Sequence, residues 1–245
     1  MMMALNLFYL PLPIELATYF NHTDVEKNSM KIINNFLKAA IYECMTADHS
    51  ELIFSSDEYI KILDLITNDL IAFCKEDPAS KGKQEIIVQT SLSFSAVLHY
   101  RLAYGLMNGD FSIPAQTLEL YASLVSSRGK LKSGADIHYN AHIGQRFVLD
   151  HGYGTVIGET TIIGDDCYFL NGVTLGATGI SGNPSRQRHP IIGNEVQIGA
   201  FSKIFGNIKI GNNVFIGPGC TVIHDLPDGA KLVNNNYKNQ ELINF

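Results

Sequence analysis

Two stretches of this chain gather side chains able to move protons or grip a small anion. In "VLDHGYGTV" (148–156) His151 directly follows Asp150, and in "SGNPSRQRHPI" (181–191) Arg188 and His189 stand together before a proline. An imidazole has an ordinary pKa near 6.5 and can take a proton from a hydroxyl at neutral pH, and a positioned base of this kind contributes roughly 10²–10⁴-fold in rate. A guanidinium can meet a carboxylate through two parallel hydrogen bonds. His138 and His142 lie four residues apart, but no other His or Cys continues a ligand spacing, so no metal site is expected.

Both stretches interrupt a strict beat. Large apolar residues fall at 137, 143 and 149, then at 157, 163, 169 and 175, then at 192, 198, 204, 210, 216 and 222, six apart within each run. Glycine follows at 144, 158, 164, 176, 193, 199, 211 and 217. A period of six fits neither a helix nor alternating strand hairpins; it marks a parallel β-helix of hexapeptide repeats, each short strand offering one inward side chain. Three hexads make one triangular coil, expected to be left-handed, with glycine expected to supply the corner conformations. Two residues are added between 149 and 157, and eleven between 175 and 192. Stacked coils accommodate insertions as outward excursions, which in repeat scaffolds gather on the binding face. The breaks in the beat are therefore where His151, and Arg188 with His189, leave the prism.

The preceding half reads as all-helical. "NSMKIINNFLKAAIYECM" places Ile32, Ile33, Phe36, Ala40 and Ile41 on one helical face. "SSDEYIKILDLITNDLIAFCKEDP" opens on the capping candidates Ser56 and Asp57 and stops at Pro78. "SLSFSAVLHYRLAYGLMNG" is expected to end in a left-handed cap at Gly109, and "IPAQTLELYASLVSSRG" to run from Pro114 to Gly129. The fold class is thus α+β, with a helical domain over 1–132, a left-handed parallel β-helix over 133–232 and a tail over 233–245. The apolar N-terminus lacks a basic leader and is broken by Pro11, Pro13 and Glu15, so a buried or interface arm is expected rather than an export signal or membrane span. A formal net charge of −6 argues against nucleic-acid or acidic-membrane partners. The four cysteines (44, 74, 167, 220) lack ligand spacing and are expected as buried thiols in a reducing cytoplasm.

The segments "ADIH" (135–138), "LDHGYGTVIGET" (149–160), "GVTLGATG" (172–179), "RHP" (188–190) and "GNIKIGNNVFIG" (206–217) resemble serine O-acetyltransferases, hexapeptide-repeat acyltransferases, from about 134 to 232. Upstream the likeness is thinner: "DPAS" (77–80) and "LHYRLAYGLM" (98–107) resemble the family's helical segments, with Ser95 where the family tends to have His. The resemblance implies acetyl transfer from acetyl-CoA to the hydroxyl of L-serine, giving O-acetyl-L-serine for cysteine synthesis. It assigns the base to His151 and the orienting carboxylate to Asp136. Asp150 and Asp77 would hold the serine ammonium, and Arg188 with His189 its carboxylate. Ala177, Thr178 and Ala200 would line the path of acetyl-CoA, with Lys238 the basic residue kept in the tail. Phe215 stands where members often carry a basic residue, so Lys203 or Lys231 is a substitute contact. Members that dock their tail into the next enzyme of cysteine synthesis usually end in Ile; this chain ends in Phe245, which argues against that docking. The resemblance also implies a trimer, or a dimer of trimers, with active sites between neighbouring prisms.

Two other readings use the same residues. The machinery could serve another amino alcohol such as homoserine, or the chain could be an inactive homologue that scaffolds a complex. Retention of Asp136, His151, Arg188 and His189 together argues against the second. A histidine-metal enzyme on the same scaffold, resembling a carbonic anhydrase, would need ligands that the spacing does not supply.

Overall fold

The computed structural model describes residues 24–76, 82–182 and 186–234, with side chains of the first helix from residue 29 onward. Asp77, Lys238, Phe245 and the N-terminal arm lie outside the described residues. Among those described, helices come first: α1 (Asp24–Cys44), α2 (Ala47–Phe54), α3 (Asp57–Glu76), α4 (Gln84–Thr90), α5 (Leu92–Asn108) and α6 (Ala115–Ser133). None is long and apolar enough to cross a membrane.

Caps set the helix starts. The Ser56 hydroxyl accepts from the Tyr59 amide at 3.2 Å at the head of α3, and the Ser91 hydroxyl accepts from the Phe94 amide at the head of α5. The α1 core stripe is Ile33, Leu37, Ala40 and Ile41; Phe36, expected on it, is exposed. Gly109 does close α5, but with φ −87°, not in the left-handed region. α6 runs straight through Gly129 and ends at Gly134, whose φ of +71° is the left-handed cap. Gly129 is a contact glycine instead: a Cβ there would lie 2.7 Å from the Cβ of His99 on α5.

Among the described residues fourteen short strands, numbered along the chain, then stack into a three-faced prism. One face holds β1 (Asp136–Ile137), β4 (Val156–Ile157), β7 (Thr174–Gly176), β10 (Lys203–Phe205) and β13 (Thr221–Val222). The second holds β2 (His142–Ile143), β5 (Ile162–Ile163), β8 (Ile191–Ile192) and β11 (Lys209–Ile210). The third holds β3 (Val148–Leu149), β6 (Tyr168–Phe169), β9 (Gln197–Ile198), β12 (Phe215–Ile216) and β14 (Lys231–Leu232). The pairings among the described strands are parallel and in register, as at Ile137 beside Ile157 and Ile143 beside Ile163. The fold is a left-handed parallel β-helix of hexapeptide repeats. All the beat residues from Ile137 to Val222 point inward and are buried. Cys167 and Cys220 are buried between them, and burial pushes the Cys167 thiol up to about 12.

The glycines after the beat residues are not the corner makers. None has positive φ; a Cβ at Gly193 would sit 2.8 Å from the carbonyl oxygen of Gly211 in the next coil, so close stacking of coils demands them. At one corner the left-handed conformation falls on Arg146, Asp166, Glu195 and Asn213, stacked one above another with φ of 54–58°, and at another on Gly154, Gly172, Phe201 and Gly219, where other glycines do supply it. Beside the first four, Asp165, Asn194, Asn212 and Asp228 each accept a backbone N–H from the coil below at 2.7–2.9 Å. This column of short polar side chains adds to the backbone pairing that continues at the corner, where the Asp166, Glu195 and Asn213 amides donate to the carbonyls of Gln145, Asp165 and Asn194.

The helical half is bolted to the first coil by a buried ion pair. Arg101 of α5 meets Asp69 of α3 through Nε at 2.7 Å and Nη2 at 3.1 Å, and both side chains are wholly buried. Arg101 also donates to the carbonyls of Ile143 and Gly144, while Asp69 accepts from the Phe147 amide. Tyr100 donates to the Ala141 carbonyl and accepts from the Ile143 amide.

Candidate active site

The first excursion begins one residue after β3. The Asp150 amide still donates to Phe169 in the stacked coil at 2.8 Å, and the chain departs at His151, which adopts φ +57°. The same left-handed conformation recurs at the prism's corners, so at His151 it marks where the chain turns out of the coil. The His151 side chain is 77% exposed, and its Nε2 lies 3.8 Å from an Asp150 carboxylate oxygen. Tyr168 on β6 donates its hydroxyl to that same oxygen at 2.7 Å. The excursion rejoins the prism where Gly154 donates to Gly134 and Thr155 accepts from the Asp136 amide. Asp136 heads β1 nearby, but its carboxylate is held by Lys130 of α6 at 2.5 Å. In the single chain the carboxylate within ion-pair distance of the imidazole is Asp150, expected at the serine ammonium, and not Asp136, the carboxylate expected to orient it.

The second excursion, between β7 and β8, returns through Arg188 and His189. Glu159, in the turn after β4, takes the Arg188 guanidinium. That contact holds the Glu159 carboxyl below the usual range, the guanidinium's hydrogen bond being the main cause. The next residue, Thr160, is bonded to His189 through both its amide and its hydroxyl. His189 is buried, and that burial, followed by the Arg188 charge, holds its pKa below the ordinary value. His138, in the turn after β1, is also lowered, chiefly by burial. His142 bonds through Nδ1 to the Tyr104 hydroxyl at 2.9 Å. Among the described residues no group of three possible metal ligands occurs.

Chain order fixes how these groups relate. His151 precedes β4, while Glu159 and Thr160, which hold Arg188 and His189, follow it. The base candidate and the anion grip therefore occupy opposite edges of one face. The acetyl-CoA candidates divide the same way. Ala177 and Thr178 follow β7 on the Arg188 edge, and Ala200 follows β9 on the His151 edge, two coils on. A cleft of about 540 Å³ opens on the third face, between α3 and residues such as Arg146, Cys167, Tyr168 and Gln197; neither His151 nor Arg188 lines it.

Comparison with known proteins decides what carries this arrangement. The family model "Bacterial transferase hexapeptide (six repeats)" matches residues 189–224. A serine acetyltransferase from Helicobacter pylori is 40% identical over 164 residues, 67% of this chain and 90% of that one. The chain belongs to the serine acetyltransferase family. A serine acetyltransferase from Synechococcus elongatus is also 40% identical, over 65% of this chain and 61% of its own length, so the chain spans less than two thirds of that relative. The Neisseria gonorrhoeae serine acetyltransferase, solved in complex with serine, superposes with a TM-score of 0.69 at 28% identity, covering 87% of this chain and 83% of that one.

Four residues with contacts to the candidate groups carry no sequence signal of their own: Lys130 at Asp136, Tyr168 at Asp150, Glu159 at Arg188 and Thr160 at His189. Glu159 and Thr160 lie inside the quoted "GET". Their contacts arise only when the coil is closed.

Proposed function

We propose that this chain is an acetyl-CoA-dependent serine O-acetyltransferase that forms O-acetyl-L-serine for cysteine synthesis. The observation that carries the reading is the pairing of an exposed His151 on one broken repeat with an Arg188–His189 grip on the other, in a chain of this family.

In this reading His151 takes the proton of the serine hydroxyl as that oxygen attacks, and returns a proton to the leaving sulfur. Acetyl-CoA supplies the acetyl group as a thioester. Asp150, held by Tyr168, and Asp77 meet the serine ammonium; Arg188 and His189 meet its carboxylate. Asp136 orients the imidazole and stabilises its protonated form, as a carboxylate on the second ring nitrogen does; to do so it must exchange Lys130 for His151. Backbone amides of the glycine-rich turns stabilise charge on the acyl oxygen. Ala177, Thr178, Ala200 and Lys238 form the acetyl-CoA path. Lys231, whose ammonium lies 5.2 Å from the Phe215 ring centre, is the nearer substitute for a basic residue at 215. No covalent enzyme intermediate is needed, because direct transfer requires only that both substrates be held together.

The separation of the two groups across one face supports a homo-oligomer, trimeric or a dimer of trimers. His151 of one protomer would face Arg188 and His189 of the next. The test is release of CoA from acetyl-CoA, followed with a thiol reagent, across L-serine, L-homoserine, L-threonine and no acceptor. Release with serine well above the others is expected. Release with another amino alcohol alone would reassign the acceptor, and none with any acceptor would overturn the reading.

A further inference from the structure

The hydrogen bonds around Thr160 settle which ring nitrogen of His189 carries the proton, the Thr160 hydroxyl and amide sharing the single lone pair of Nδ1. Its hydroxyl oxygen accepts the amide N–H of Arg188 at 3.0 Å and that of His189 at 3.2 Å. A hydroxyl has two acceptor lone pairs and one proton, so both lone pairs are taken. The proton is left for the one other contact of Oγ1, His189 Nδ1 at 2.9 Å. The Thr160 amide also donates to Nδ1, at 3.1 Å. A backbone N–H can only donate, so Nδ1 carries the lone pair and the imidazole proton is on Nε2.

Three further features point the same way. Gln187 donates its side-chain amide to the carbonyls of Thr160 and His189, at 2.5 and 2.7 Å, clamping the loop's return to the turn after β4. Gly158 leaves the space the ring occupies, since a Cβ there would overlap His189. Among the described residues the Nε2–H meets no acceptor, although the residue is only 8% exposed. Nε2 is not among the fully buried atoms left without a partner, so it faces open space from which a ligand acceptor can reach it.

We propose that Thr160 is the positioning residue of the carboxylate grip: its amide and hydroxyl together hold His189 as a neutral Nε2–H donor beside the Arg188 charge, the hydroxyl also tying the Arg188 and His189 amides to the turn, so that the pair fits an acceptor bearing a carboxylate. This rests on the reading of Arg188 and His189 as the serine carboxylate site. One prong is charged and held by Glu159, and the other is neutral and held by Thr160. The neutral prong adds a directed hydrogen bond without a second positive charge beside the guanidinium.

The experiment compares acetyl transfer to L-serine and to L-serinamide, which lacks the carboxylate charge, in the wild-type protein and in Thr160→Val, Thr160→Ser and Gly158→Ala. Thr160→Val keeps the shape and removes the hydroxyl. A hydrogen bond to a charged group contributes about 1.5–3 kcal/mol, so kcat/KM for L-serine should fall about ten- to a hundredfold, mainly through KM. The value for L-serinamide should move by less than about threefold, a size that ordinary packing changes produce. Thr160→Ser should restore the preference, and Gly158→Ala, which displaces the ring while leaving the hydroxyl, should lose it as Thr160→Val does. Should Thr160→Val fail to assemble, Gly158→Ala and Thr160→Ser carry the comparison. An equal fall for both acceptors would show a merely structural role and overturn the inference, as would an unchanged preference in both Thr160→Val and Gly158→Ala. A wild-type protein inactive with L-serine would overturn the functional reading itself, which separates the two failures.

Discussion

At the scale of single residues, His151 combines a left-handed backbone, an exposed ring and a carboxylate neighbour. Replacing it with alanine removes no buried contact, so assembly should persist while kcat falls on the order of 10²–10⁴-fold. Near-normal turnover by the folded variant would remove His151 from the base role. Both His151 and the Arg188–His189 pair were legible in the sequence because each breaks a six-residue beat that the rest of the prism keeps. Their supports were not. Thr160 and His189 stand 29 residues apart, as do Glu159 and Arg188, and only the stacking of one coil on the next makes them neighbours. Asp136 shows the opposite difficulty. The resemblance aligned it with an orienting carboxylate, yet in the single chain it is engaged by a helix residue whose reach no motif announces.

At the scale of elements, the prism could be read almost strand by strand, since its period is geometric and each inward position admits only apolar residues. The helices could be read as existing but not in their details. Gly129 resembles a helix end in sequence, yet its role is to let α6 approach α5 at His99. The junction between helices and prism was invisible, because Arg101 and Asp69 each sit in an otherwise ordinary amphipathic helix. Arg101→Leu should leave Asp69 buried and unpaired and destabilise the chain by about 3–5 kcal/mol. Denaturant unfolding at fixed protein concentration would measure it, and a loss below 1 kcal/mol would deny the pair its bolting role. His99, where α5 meets α6, offers a second test. Its Nδ1–H donates to the Ser95 carbonyl at 2.6 Å, and burial, the largest cause, holds its pKa below the ordinary 6.5. The native state thus refuses a proton that the unfolded chain accepts. Stability is full above about pH 6.5 and declines as pH falls toward the native value. His99→Gln should flatten the dependence of Tm on pH in that window. Some slope should remain, because His138 and His189 shift in the same direction. An unchanged slope would locate the acid sensitivity elsewhere.

At the scale of the whole molecule, the arrangement of half-sites makes a prediction that no property of one protomer can imitate. His151 and the Arg188–His189 grip flank β4 on opposite edges of one face, so under the proposed function a working site takes its base from one protomer and its carboxylate grip from the neighbour. His151→Ala and Arg188→Ala homo-oligomers should each be severely impaired, the second chiefly through a raised KM for serine. Unfolding the two together and refolding them as an equal mixture forms random closed rings. A site is then intact only where an unaltered His151 meets an unaltered Arg188. Each condition is met half the time, so about a quarter of the wild-type sites should return in a ring of any size with one site per junction. If both groups served one site within a single chain, every chain would carry one lesion and mixing would restore nothing. A native mixture left unexchanged is the control, since subunits that have not exchanged cannot complement. Recovery of about a quarter after refolding, with none before, would establish that catalysis belongs to the junction between prisms.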